Sequence, residues 1–192
     1  LKRDLLQRRL FKKRVDGIIV NAKALIFAGC FFDDHLSNKW LKKGIKILSE
    51  QIREQILEDG GHFELSVMYH AIILEDILDL IWLQRCYLNE DLDKLTPVLT
   101  HTAKVMFSWL NIMSHPDGGI SYFNDSCLNE SPNQASLKAY ANRLGITLSM
   151  ESNKRLQELP ASGYYRIEQG PFSLIADLAN VGASYIPGHA HA

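Results

Sequence analysis

The sequence predicts a mainly α chain that ends in antiparallel strands, and two observations carry that expectation. From residue 18 to about 144, apolar residues recur at spacings near 3.6 in segments separated by Gly, Asp and Pro. After Pro160 the pattern changes to short β-prone runs, Tyr164–Gln169 and Pro171–Leu178, parted by Gly170. Helices followed by strands, with no βαβ alternation, imply two segregated parts, 1–160 and 161–192.

The elements follow in order. Residues 2–14 form a helix with Leu5, Leu6, Leu10 and Phe11 on one stripe, and Asp16-Gly17 interrupts it. Ile18–Phe32 is almost wholly apolar, which predicts a helix packed on most sides. Asp33-Asp34 caps an amphipathic helix within 35–59. Trp40, Leu41, Ile45, Leu48, Ile52 and Ile56 face inward there, opposite Lys42, Lys43, Lys46, Glu50, Arg53 and Glu54. Gly60-Gly61 stops it. Ser66 caps a helix from Val67 to about Leu88, with Ile72, Ile73, Ile77, Leu80 and Ile81 inside and Glu75, Asp76 and Asp79 toward solvent. Thr96-Pro97 opens a helix to about Ser114, since Pro suits the first helical position. His115–Gly119 is a turn, 120–125 is extended or irregular, 136–144 is a short helix, and 147–159 is a polar linker.

Composition narrows the function classes. A net charge of −1 gives no general pull toward nucleic acid or membrane, and no apolar run reaches the length of a membrane span. Between Lys2 and Arg14, seven basic residues stand against Asp4 alone, which suits either an anionic partner or a solvated face. Cys30, Cys86 and Cys127 show no CxxC spacing, so neither a disulfide framework nor a zinc knuckle is indicated. The start at Leu1 and the stop after Gly188-His189-Ala190-His191-Ala192 suggest a piece of a longer protein.

Titratable groups concentrate in Asp59-Gly60-Gly61-His62-Phe63-Glu64-Leu65-Ser66-Val67-Met68-Tyr69-His70. Tyr69 and His70 fall in the first turn of a helix, where unpaired N–H groups and the helix dipole favour anions. Each residue also has a plainer reading. The Tyr69 hydroxyl can simply bond the backbone, His62 can hold the Gly-Gly turn, Glu64 can cap the helix or orient an imidazole, and Asn124 with Asp125 can form a turn.

Taken as an ordered series, these motifs resemble one family. Asn21-Ala22-Lys23-Ala24-Leu25-Ile26-Phe27-Ala28-Gly29, the Asp59–His70 stretch, His115-Pro116-Asp117-Gly118, Phe123-Asn124-Asp125, Ser162-Gly163-Tyr164 and Pro187–Ala192 follow one another as in heparinase II/III-family polysaccharide lyases, over roughly residues 17–192. The resemblance implies an incomplete α/α toroid followed by the first antiparallel strands of a β-sandwich domain. It implies β-elimination on an acidic, uronic-acid-containing polysaccharide, with Tyr69 and His189 as the acid–base pair. His62, Glu64, His70 and Asn124 would face or position the substrate, and His191 would be one ligand of a structural zinc or calcium whose other ligands lie beyond residue 192. It further implies a periplasmic or cell-envelope setting, and a fragment that is inactive alone.

One departure stands out. Where the family carries an Asn-His pair, whose Asn neutralises the substrate carboxylate, this chain has Asp16-Gly17. A carboxylate there repels its substrate unless another group compensates, such as His62 or His70 as imidazolium. The alternative expectation is a non-catalytic glycan-binding or polysaccharide-biosynthesis protein of the same fold. At Val67, where the family has Pro, the change touches only helix initiation.

Overall fold

The structure is a computed structural model that describes residues 17–148 and 154–180. The expected helix over 2–14, together with Asp16, His189 and His191, lies outside them. The chain divides into two compact units, Leu1–Ile52 and Arg53–Ala192.

In the first unit, α1 (Ile18–Phe31) buries Ile19, Ala22 and Ile26. It is not packed on most sides as its composition suggests, for Val20 and Phe31 stay exposed. Composition reports what a helix is suited to bury, and here only the stripe of Ile19, Ala22 and Ile26 is buried. The next helix, α2 (Ser37–Gln55), starts as expected at the acidic pair. Asp34 Oδ1 accepts from the N–H groups of Leu36 (2.7 Å) and Ser37 (2.8 Å), which satisfies donors that the helix itself leaves open.

In the second unit, α3 (Val67–Cys86) begins at the expected cap, Ser66, and is buried on nearly all sides. The expected solvent face is therefore only partial, since Asp76 is buried and the Asp79 carboxylate accepts a 2.9 Å bond from Tyr140. Next, α4 (Glu90–Met113) starts six residues before Thr96. Asn89 is its true cap, accepting from Asp91 N and Leu92 N, and Glu90, Asp91 and Asp93 complement the dipole of its first turn. Pro97 thus sits inside the helix rather than at its start. The short α5 (Gln134–Arg143) is capped by Asn133.

Three antiparallel strands follow in the order β1 (Leu156–Leu159), β2 (Tyr164–Gln169), β3 (Phe172–Asp177). The hairpin falls where the sequence places it, but β1 lies within the stretch read as a polar linker. Its four residues alternate too briefly to register as a period, and pairing with β2 creates the strand. One sheet face carries Leu159, Tyr164 and Arg166 inward. The other aligns Leu156, Ile167 and Leu174 across the three strands, with Leu174 58% exposed.

Arg166 fixes β2 to the end of α4. Its guanidinium donates to the carbonyls of Asn111 (3.4 Å), Ile112 (3.0 Å) and Ser114, and pairs with Glu168. A cation there meets the negative end of the helix and its unpaired carbonyls.

Candidate functional site

The Gly-Gly turn brings its loop hard against α4. A Cβ at Gly60 would sit 2.2 Å from the Val105 carbonyl oxygen, and Gly60 has φ +90, a conformation that glycine alone adopts freely. At Gly61 a Cβ would sit 2.6 Å from Trp109 Nε1. Behind the turn, Asp59 organises the approach. Its Oδ1 accepts from Gly61 N (3.1 Å), while Oδ2 accepts from both the N–H (2.7 Å) and the hydroxyl (2.8 Å) of Ser162. Trp109 Nε1 donates to the same Ser162 hydroxyl at 2.8 Å.

His62 and His70 are enclosed, at 2% and 0% exposure. His62 N–H donates to His70 Nδ1 (3.2 Å), so the His70 proton sits on Nε2 and donates to the Met106 carbonyl at 3.0 Å. The His70 ring also stacks on Trp109, with centroids 4.4 Å apart. His62 Nε2 lies 3.1 Å from Gln55 Oε1, which fixes its proton there, and its Nδ1 has no partner among the described residues. Burial pushes both imidazoles down to about 3, with His70 adding repulsion at His62 and the Met106 carbonyl acting the other way at His70. Both are neutral at working pH, so neither supplies the imidazolium that the Asp16-Gly17 departure calls for. In this geometry they hold the loop.

The pair gives a pH signature. Between about 6.5 and about 3 the unfolded chain binds protons that the folded chain refuses, so stability falls as pH drops through that window. Each imidazole contributes up to about 1.4 kcal/mol per pH unit. The urea midpoint is expected to fall clearly from pH 7 to pH 5, and less steeply in His62→Gln; a flat midpoint would refute the neutral buried pair.

Tyr69 is half-buried in the first turn of α3. That turn is not a bare anion site as the sequence suggested. Tyr69 N donates to Ser66 Oγ (3.4 Å), Met68 N to Ser126 Oγ (3.3 Å) and His70 N to the Ser66 carbonyl (2.9 Å). Ser126 in turn donates to the Phe123 carbonyl (2.7 Å) and faces Ser66 Oγ at 3.0 Å. Glu64 is buried just before the cap. Asn124, 5% exposed, spends its amide on the Leu65 carbonyl (3.2 Å) and the Tyr164 hydroxyl (2.8 Å).

The structure therefore gathers His62, Glu64, Tyr69, His70 and Asn124 in one region of the second unit. Sequence reasoning gave no role to Asp59, Trp109, Ser162 or Tyr164. The only prior signal for Ser162 and Tyr164 was their place in one of the ordered motifs. Among the described residues no group of three or more His, Cys, Asp or Glu is arranged to hold a metal, and no helix is long and apolar enough to cross a membrane.

Comparison with known proteins places these residues in context. The family model for the heparinase II/III N-terminus matches residues 4–155, and that for the heparinase II/III-like C-terminal domain matches 151–192. The chain is 28% identical over 140 residues to a heparin-sulfate lyase of Bacteroides stercoris, covering 69% of this chain and 20% of that protein. It is 33% identical over 117 residues to a heparin-sulfate lyase of Bacteroides thetaiotaomicron, covering 57% and 16%. The chain thus spans about a fifth or less of the curated relatives it matches. A crystal structure of heparinase III superposes with a TM-score of 0.67 at 25% identity, over 83% of this chain and 28% of that one. The heparan sulfate lyase of Pedobacter heparinus, at 21% identity and a TM-score of 0.64, shares the fold over 88% of this chain. The likeness agrees with the expected fold class, part of an α/α toroid followed by antiparallel strands.

Proposed function

Since the chain belongs to the heparinase II/III family, we propose that the full-length protein is a polysaccharide lyase that cleaves an acidic, uronic-acid-containing glycan by β-elimination. The observation that carries this reading is Tyr69, half-buried at the head of a helix where the Met68, Tyr69 and His70 N–H groups are already bonded. A base removes the proton from the carbon next to the substrate carboxylate, that electron pair forms a carbon–carbon double bond, and the bond to the glycosidic oxygen breaks. An acid supplies the proton to that oxygen. Tyr69 serves as the acid, and as base it acts with or alternates with His189. His62, His70 and Asn124 keep the loop before Tyr69 in place, and Glu64 belongs to the same buried support. His191 would contribute one imidazole, a donor suited to zinc, to a structural metal completed by residues beyond 192. A glycan of this kind is met outside the cytoplasm, which favours a periplasmic or envelope setting.

The test is the full-length protein against heparan sulfate, chondroitin sulfate, hyaluronan and alginate, with the ultraviolet absorbance of the unsaturated uronate as readout. Product on at least one glycan is expected; none on any would overturn the reading.

The Asp16-Gly17 departure favours one second reading, a glycan-binding protein without turnover. Among the described residues, a Cβ on Gly17 would meet only Asn21 Nδ2, at 3.6 Å, an ordinary contact. Calorimetric glycan binding without product, with product appearing after Asp16→Asn and Gly17→His together, would establish it.

A further inference from the structure

The loop that delivers Tyr69 contains a residue in an unfavourable conformation. Leu65, directly before the Ser66 cap, has φ +59, a region that bulky residues rarely adopt. Asn124 and Asp125 are also left-handed, at φ +49 and +60. Strained backbone persists only where its surroundings hold it. Here the Leu65 carbonyl accepts two hydrogen bonds, from the Tyr164 hydroxyl at 3.0 Å and from Asn124 Nδ2 at 3.2 Å, and Asn124 Nδ2 also donates to that hydroxyl at 2.8 Å.

The three groups form a triangle, with the Asp177 carboxylate also near the Tyr164 hydroxyl. Tyr164 is wholly buried at the start of β2, with its ring between Trp109 (5.9 Å, edge-on) and Phe123 (5.3 Å). Burial and then the neighbouring Asp177 carboxylate, which also draws on this hydroxyl, raise its pKa above the ordinary tyrosine value, so the hydroxyl keeps its proton throughout the working range. Each end of the triangle comes from a different segment: the strand, the loop after α4, and the loop before α3.

We propose that Tyr164 and Asn124 are positioning residues that lock Leu65 in its left-handed conformation, and so set the direction in which α3 starts and Tyr69 points. Neither residue touches the reacting atoms in this scheme. The Asn124 amide nitrogen, read from the resemblance as a substrate contact, takes part in the lock. The catalytic consequence rests on the lyase reading; the structural one does not.

The test uses the full-length protein with Tyr164→Phe, which keeps the ring and removes the hydroxyl, and Asn124→Gly, which tolerates positive φ and removes the amide. Amide hydrogen exchange over residues 62–70 is expected to quicken roughly tenfold in either variant, with α4 amides unchanged. On whichever glycan is cleaved, kcat is expected to fall roughly tenfold with KM within about twofold of wild type. Unchanged exchange over 62–70, acceleration spread equally into α4, or faster exchange with undiminished kcat would each overturn the proposal. Should no glycan be cleaved by the wild-type protein, the lyase reading fails while the exchange measurement still decides whether the lock exists.

Discussion

Tyr69→Phe in the full-length protein is expected to lower β-elimination by a factor of about 10² to 10⁴, the range that a positioned acid–base group contributes. The start of α3 should persist. The ring is half-buried and stays, and the bonds that start α3 come from the Tyr69 backbone and the Ser66 and Ser126 hydroxyls. A calorimetric affinity for the cleaved glycan within about threefold of wild type would place the loss in the chemical step rather than in binding. Turnover retained within a factor of about ten would remove Tyr69 from the reaction and return it to the role of a helix-start aromatic. His189→Ala is the natural companion, since a shared acid–base task predicts that the double variant is scarcely worse than the more damaged single one.

The largest expected effect on stability is Gly60→Ala. At φ +90 a side chain incurs about 1–2 kcal/mol of backbone strain. The added methyl would also stand 2.2 Å from the Val105 carbonyl oxygen, backbone within a helix that cannot swing aside. Together these predict a loss of about 3 kcal/mol or more, which lowers the melting temperature by roughly 6–12 °C for a domain of this size. Gly118→Ala provides the control. Its φ of +84 is nearly the same, but a Cβ there meets nothing within 4 Å among the described residues, so the strain of about 1–2 kcal/mol is the expected cost. Similar melting temperatures for the two variants would show that the turn can move away from α4.

The contrast between these glycines also marks how much was legible in the sequence. Gly60-Gly61 announced a stop, but the helix pressing on it is some 45 residues away in the chain, and only the folded chain reveals that Val105 and Trp109 demand the missing side chains. The helical segments were readable because apolar periodicity is local, and Asp34 and Ser66 were readable as caps because capping is local too. Thr96-Pro97 misled for a physical reason. It carries a start signal, but Asn89 with three acids behind it is a stronger one, and α4 runs through the proline. Asp76 was placed outside because charge usually marks solvent, whereas α3 is enclosed on nearly every side. In the site, the motif singled out Tyr69, which the structure places half-buried in the first turn of α3. The work of Asn124 was not legible, because its partners Leu65 and Tyr164 stand 59 and 40 residues away. The imidazolium role for His62 or His70 failed for a similar reason, since burial is a property of the fold and not of the residue.

The stack of His70 on Trp109 gives this region its own optical signal. Trp109 is the one fully buried indole among three tryptophans, with an imidazole face against it and its N–H bonded to Ser162. Its emission is therefore blue-shifted relative to Trp82, which is exposed. In a Trp40→Phe, Trp82→Phe background, fluorescence would follow the docking of the β1–β2 turn and the seating of the Gly-Gly loop as one event, read in real time and without any substrate.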